Sequence, residues 1–392
     1  MNKRFGLVVL VVAVLAGLWF VMSETPAPVA PPAAAPVATP PAPQPEATRT
    51  ARIGIMTGTV SQGEEEYRAA VEMVERFGRD RVIHVTYPDR FMDEQETTIS
   101  LILSMAADPD VRAIVVCQSI PGTAAAVTQA REMRDDIFFV LGNIHEEPYM
   151  MAGVGDILFE IDQITRGRTI VEKAVAMGAE TFVHISFPRH MAMPLLAARR
   201  EMMEVTAEEL GISFVFVNAP DPTGEGGVAA TQMFIRDDVP RQVEEHGVNT
   251  AFFGTNCGMM EPLINTVVAQ GAIFPEQCCP SPFHALPGAL GISIPPGMAG
   301  NVPFMLNAIE ERLAEQGAQG RVSTWTAPIM MSFIRAGAAL AMSFAEGDFT
   351  DKHDVERAAE FLREYAGEVL IRPFNPERAP NFLMVTGESI IF

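Results

Sequence analysis

From Arg52 onward, short apolar runs alternate with segments of helical period, and this alternation constrains the fold more than any other feature of the chain. Strands that alternate with helices demand a parallel sheet, because each crossover helix must pack back onto the sheet it left. The first series predicts strands at 53–57 (IGIMT), 82–87 (VIHVTY), 113–117 (AIVVC) and 137–141 (IFFVL), with helices over 62–77, 94–107 and 122–134. Ser61 with Glu64, and Asp93 with Glu96, have the S/D-x-x-E spacing of a capping box at two of these helix starts.

A second series follows the same rule. Helices over 162–178, 195–210, 239–246 and 261–270 alternate with strands at 181–186, 213–217 and 250–254. The stretch 277–300 carries Pro280, Pro282, Pro287, Pro295 and Pro296 and reads as irregular loop. Helices return at 302–316, 329–345 and 354–365, and 381–386 is a last strand. The fold expected is α/β, two doubly wound Rossmann-like lobes around a cleft. Residues 51–155 plus 326–367 make lobe one, 156–325 lobe two, and 368–392 closes across the hinge.

Ahead of the body, Lys3 and Arg4 precede eighteen uncharged residues, Phe5 to Met22. A basic flank followed by such a run reads as an export signal or an uncleaved membrane anchor over 1–23. Either would place the body outside the cytoplasmic membrane, periplasmic or otherwise extracytoplasmic. Residues 24–50 are rich in proline and alanine and cannot build a core, so they are expected to be a disordered, semi-stiff linker. No cysteine precedes Cys117, so the lipid-modified cysteine of many exported proteins has no counterpart here.

The charge narrows the partners. Asp and Glu number 49 against 28 Lys and Arg, a formal net charge of −21, which disfavours nucleic acid and anionic membrane surfaces. The four cysteines, Cys117, Cys257, Cys278 and Cys279, show neither CxxC pairs nor Cys/His zinc spacing. They read as small buried residues or as a disulfide joining Cys257 to Cys278 or Cys279. His145-Glu146 lacks an HExxH frame, no G-x-S-x-G elbow is present, and neither a dinucleotide fingerprint nor a P-loop appears. Neither a cofactor nor a metal is expected, and the 23 methionines read as core filler.

Ligands of open α/β sheets lie beyond the carboxyl ends of the strands, where helix N-termini point outward. In lobe one this selects Thr57, Gly58, Thr59, Ser61 and Gln62 of GTVSQG, then Gln118 and Ser119, then Asn143 and His145. In lobe two it selects Arg189 and His190, a cationic pair suited to a carboxylate or phosphate, and Asn256. Trp325 and Thr326 fall near a crossing between lobes, where Trp325, like Phe283, either stacks on a planar ligand or packs the hinge.

The segments IGIMTGTVSQGEEEYRAA, DPDVRAIVVCQSIPGTAAA and FFGTNCGMMEPLI resemble a bacterial family of periplasmic lipoproteins. That family is similar in turn to the basic membrane protein and purine-nucleoside receptor lipoproteins, within the type I periplasmic solute-binding superfamily. The resemblance spans Arg52 to Phe392. It implies ligand contacts in the loop Thr57–Gln62 and at Asn256, where the Asp of sugar-binding relatives is replaced by Cys257, and a hinge crossing at Thr324–Pro328. The function implied is a receptor, not an enzyme, that closes on a small polar, nucleoside-like metabolite and delivers it to an ABC-type permease. Alternatives are a ligand sensor coupled to a membrane signalling protein and a cleft hydrolase or isomerase.

Overall fold

The computed structural model describes residues 50–298 and 300–392. The expected signal or anchor at 1–23 and linker at 24–50 lie outside the described residues, Thr50 excepted.

The chain begins β1 (Arg52–Thr57), α1 (Val60–Phe77), β2 (Val82–Thr86), α2 (Gln95–Ala107), β3 (Val111–Ser119), α3 (Thr123–Met133), β4 (Phe138–Ile144), α4 (Pro148–Val154) and β5 (Ile157–Ile161). Then follow α5 (Gln163–Ala176), β6 (Thr181–Ser186), α6 (Pro188–Met191), α7 (Pro194–Leu210), β7 (Ser213–Asn218), α8 (Gly227–His246), β8 (Thr250–Gly254) and α9 (Cys257–Ala269). The rest is α10 (Leu286–Leu290), α11 (Val302–Glu315), β9 (Ser323–Trp325), α12 (Ile329–Glu346), α13 (Val355–Ala366), β10 (Val369–Asn375), β11 (Ala379–Gly387) and β12 (Ser389–Ile391).

Seven strands form the first sheet in the order β10-β11-β5-β4-β3-β1-β2, all parallel except for the antiparallel β10–β11 edge. The apolar runs of β1, β3 and β4 are near-continuous because both faces are covered. Ile53, Ile55, Val115 and Val140 meet α1 and α12 on one face, while Met56, Ile114, Val116 and Leu141 meet α2 and α3 on the other. Helix α12 is the one described helix long and apolar enough to span a membrane, yet 72% of it is buried here. Its Gly337 lets it press onto the sheet, since a Cβ there would stand 3.1 Å from Val115 Cγ1. The second sheet, β7-β6-β8, is parallel and is continued by bridges from Ala251 to Ile273 and from Phe274 to Val322.

Several details depart from the expectation. β5 belongs to the first sheet, paired with β4 and β11, so lobe one runs through Ile161 and not only to residue 155. Most of 368–392 also joins lobe one, as β10 and β11; only β12 reaches across, pairing with β9. The strands β5, β9, β10 and β12 are stabilised by distant partners and have no strong local pattern of their own. α8 begins at Gly227, and 277–300 contains α10. Neither capping box forms. Thr59 is the cap of α1 and Ser61 Oγ donates to Asp89 Oδ2 at 2.8 Å, while Glu64 pairs with Arg68 and Asp93 with Arg90.

Candidate functional site

The carboxyl ends of β3, β4 and β5 face those of β6 and β8 across a cleft, which encloses a cavity of about 60 Å3. At about 10–15 Å3 of such space per water, that is room for about four to six water molecules. Lobe one lines it with Gln62, Phe91, Gln118, Asn143, Ile144, His145 and Glu160, and the opposite wall comes from Gln163, Arg189, His190, Met193, Leu195, Leu196, Arg199, Thr255, Asn256, Cys257, Cys278 and Cys279.

The floor is a buried polar chain built where α5 leaves β5. Glu160 accepts hydrogen bonds from the Ile144 and Ile161 amides, at 2.6 and 3.0 Å, and from Gln163 Nε2 at 3.1 Å. Gln163 Oε1 in turn accepts from Arg166 Nη1 at 3.1 Å and from Arg199 Nη1 at 2.6 Å. Arg166 is saturated, donating to Glu276 and to the Gln277 and Cys278 carbonyls. Arg199 is not. It is 1% exposed, yet its Nε and Nη2 have no hydrogen-bond partner. Burial and the adjacent Arg166 push its pKa down to about 9, so it remains cationic at neutral pH. The guanidinium is held by Gln163 and lies 4.9 Å from the Phe253 ring centre, but its unpaired nitrogens carry a desolvation cost that a further acceptor would relieve.

Burial also governs the titration of the other groups. It raises Glu160 to about 7 and lowers His145 to about 3, the latter helped by the Arg189 charge. His190, also buried, is held well below the ordinary imidazole range. Both histidines are therefore neutral at pH 7, and Nδ1 of His145 is a further buried polar atom without a partner.

Of the residues selected from the sequence, Gln62, Gln118, Asn143, His145, Arg189, His190 and Asn256 line the cavity. Asn143 has φ +50°, a left-handed conformation at the end of β4 that asparagine tolerates better than most residues. Asn256 caps α9, its Oδ1 accepting from the Gly258 amide at 2.9 Å. Arg189 is occupied: it holds Asp221 through two bonds of 2.8 and 3.0 Å, and its guanidinium lies 5.6 Å from the ring centre of Phe91 in the other lobe. It therefore acts as a contact between lobes and not as a free anion receptor. His190 donates from Nδ1 to the Thr255 carbonyl.

The remaining selections lie elsewhere. Thr57 is fully buried and shares a 2.9 Å hydrogen bond with His84, and a Cβ on Gly58 would meet Tyr87 Oη at 2.8 Å. The hydroxyls of Thr59 and Ser61 both turn to Asp89, and Ser119 Oγ donates to the Val116 carbonyl. Trp325 is packed in the hinge, its Nε1 donating to Glu276 Oε2 at 2.8 Å with Arg166 over the ring. Thr326 bonds the Glu388 carbonyl. Sequence reasoning missed Phe91, Glu160, Gln163, Arg199 and the three cysteines as lining residues: Glu160 lies on β5, Gln163 and Arg199 on α5 and α7, Cys257 at the start of α9, and Phe91, Cys278 and Cys279 in loops. Only the rarity of fully buried arginine could have marked Arg199, and burial is not legible locally.

Residues 51–323 match the model of a family described as protein of unknown function (DUF3798). Two proteins of Treponema pallidum (strain Nichols), each described as an uncharacterized protein, are 39% identical over 178 residues and 33% identical over 172. Each match covers 44% of this chain and 80% of the relative. Among solved structures, a proposed transcriptional regulator from Clostridium difficile 630 is similar with a TM-score of 0.70 at 23% identity, over 88% of this chain and 99% of that one. An ABC transporter solute binding protein from Clostridium phytofermentas, with bound L-rhamnose, gives 0.53 at 9% identity, over 87% and 96%. Another from Agrobacterium vitis, with bound allitol, gives 0.51 at 13%, over 77% and 91%. These likenesses show the fold, that of the type I periplasmic binding proteins, and the neighbours are binding and regulator proteins.

Proposed function

The chain belongs to the DUF3798 family, and on that premise we propose that it is an extracytoplasmic solute-binding receptor. It closes two lobes on a small polar metabolite and presents the closed form to a membrane permease of the ABC type. The observation that carries this reading is the pair of unpartnered N–H groups on Arg199, buried in a cleft that both lobes line. A ligand with a carboxylate, phosphate or carbonyl oxygen would satisfy them. The amides of Gln62, Gln118, Asn143 and Asn256 suit hydroxyls or ring nitrogens, and Phe91, its ring already faced by Arg189, adds apolar lining. These features are compatible with the nucleoside-like ligand that the sequence resemblance implies. The sugar and sugar alcohol named for two structural neighbours support a polar solute of similar size.

A cavity of about 60 Å3 is too small for such a molecule, so entry requires the lobes to part and re-close on it. The closed form gains contacts from both sides, and the Arg189–Phe91 contact adds to it. The apolar run Phe5–Met22 behind Lys3 and Arg4 supports export and tethering, which fractionation of membranes from soluble protein tests.

The deciding experiment is thermal melting against nucleosides, sugars, amino acids and carboxylates, after refolding from denaturant to strip any carried-over ligand. A ligand at about 100 times its Kd adds about 2.7 kcal/mol of stability, several degrees of midpoint. One class should raise the midpoint in the native protein and fail to do so in Arg199→Met. Binding that survives Arg199→Met intact would sink the placement of the site, and no response from any class would sink the receptor.

A further inference from the structure

Three cysteines that line the cavity meet a histidine outside its lining, at spacings that match no zinc motif. Cys257 opens α9, Cys278 and Cys279 lie in the loop beyond it, and His284 precedes α10. Cys257 Sγ is 3.3 Å from Cys278 Sγ and 3.5 Å from Cys279 Sγ, and Cys278 Sγ is 3.8 Å from His284 Nε2. The donor atoms of Cys257, Cys278 and His284 all fall within 4.8 Å of one another.

We propose that Cys257, Cys278 and His284 bind a zinc ion, and that Cys279, its Sγ 3.5 Å from that of Cys257, rotates its side chain to complete a tetrahedral Cys3His site. Zn–S bonds of about 2.3 Å place two tetrahedral ligands about 3.8 Å apart, close to the separations found. Thiolate with imidazole is the donor set that selects zinc over the hard cations. A buried carboxyl group stands behind the imidazole. His284 Nδ1 lies 3.9 Å from Glu65 Oε2, a buried oxygen with no hydrogen-bond partner. Glu65 is itself oriented by Ser281, whose hydroxyl donates to its Oε1. A carboxylate behind a ligating imidazole fixes the ring and its tautomer. Three thiolates on one zinc leave a single negative charge, and the buried guanidinium of Arg166, bonded to the Cys278 carbonyl at 3.0 Å, is placed to offset it.

A disulfide is the competing use of these thiols. It would draw two sulfurs to about 2.05 Å and leave the third cysteine, the histidine and Glu65 without a role. The zinc engages all five groups. It would also clamp the start of α9, and with it Asn256, to the loop at 278–284, stiffening one wall of the cavity whatever solute the cleft takes.

The test is titration of the reduced, metal-free full chain with Zn2+ and with Co2+ as a spectroscopic probe, under anaerobic conditions. The result expected is one equivalent bound, with thiolate-to-Co2+ charge transfer and the strong visible bands of tetrahedral Co2+. Cys257→Ser and Cys278→Ser should lose this spectrum, and Cys117→Ser, remote from the cluster in sequence and on β3, should keep it. Glu65→Gln should weaken zinc by about 10–100-fold with the spectrum retained. The wild-type spectrum decides the matter even if a variant fails to fold. No metal uptake after reduction, Co2+ bound without thiolate bands, or full binding by Cys257→Ser would each overturn the site. A Cys257–Cys278 bridge found by mass spectrometry in a chain that takes no zinc once reduced would assign the sulfurs to a disulfide instead.

Discussion

His145 illustrates how a single side chain in this cleft couples burial to pH. Its folded pKa of about 3 lies far below the ordinary 6.5, because burial and the Arg189 charge disfavour the cation. The unfolded chain takes up the proton near pH 6.5 and the folded one does not. The contribution is therefore fully present above 6.5 and is lost as pH falls toward 3, at about 1.4 kcal/mol per unit. His145→Gln should flatten that loss, so the difference in urea midpoint between pH 7 and pH 4 should be smaller in the variant; equal losses would show that His145 is solvated. His145 was legible as a strand-end residue, as were Gln118, Asn143 and Asn256. Arg199 was not, because nothing in a helical LLAARREMM pattern says which arginine turns inward.

Among elements, α5 and α7 set the position of that arginine. Gly167 lets the two helices touch backbone to backbone: a Cβ there would stand 2.6 Å from the Arg199 carbonyl oxygen and 2.6 Å from Met202 Cβ. Neither neighbour is a flexible side-chain end. Gly167→Ala should separate the helices, lowering stability by about 1–3 kcal/mol despite the better helix propensity of alanine, and weakening the ligand-dependent melting shift through the displaced Arg199. A denaturant midpoint equal to or above that of the wild type would show that the helices can move apart freely. The same pair shows why the helices were predictable and their contact was not. Apolar periodicity marks α5 and α7 at once, while the close approach depends on one glycine facing another chain segment.

At the scale of the molecule, the chain passes between lobes three times: from β5 to α5, from β9 to α12 and from β11 to β12. Two of these crossings meet where Gly387 lies under Trp325, and a Cβ on Gly387 would stand 2.6 Å from Trp325 Cε3. Trp325 cannot give way easily, being 2% exposed and bonded to Glu276. Gly387→Ala should therefore lower the calorimetric Tm by several degrees with helical circular dichroism unchanged; an unaltered Tm would mean that the hinge is loose. The alternation of apolar runs determined by itself that the body is a parallel α/β fold in two series, because strand and helix periods are local properties. Acidity likewise disfavoured nucleic acid, since net charge needs no coordinates. What only the tertiary structure decided was which strand joins which sheet, that Thr57 and Trp325 are core, and that Arg199, Glu160 and the Cys257–Cys278–Cys279–His284 cluster meet at one cleft. These depend on contacts between residues distant in sequence, Glu65 and Ser281 among them at 216 positions apart, and such contacts leave no periodic trace in a single chain.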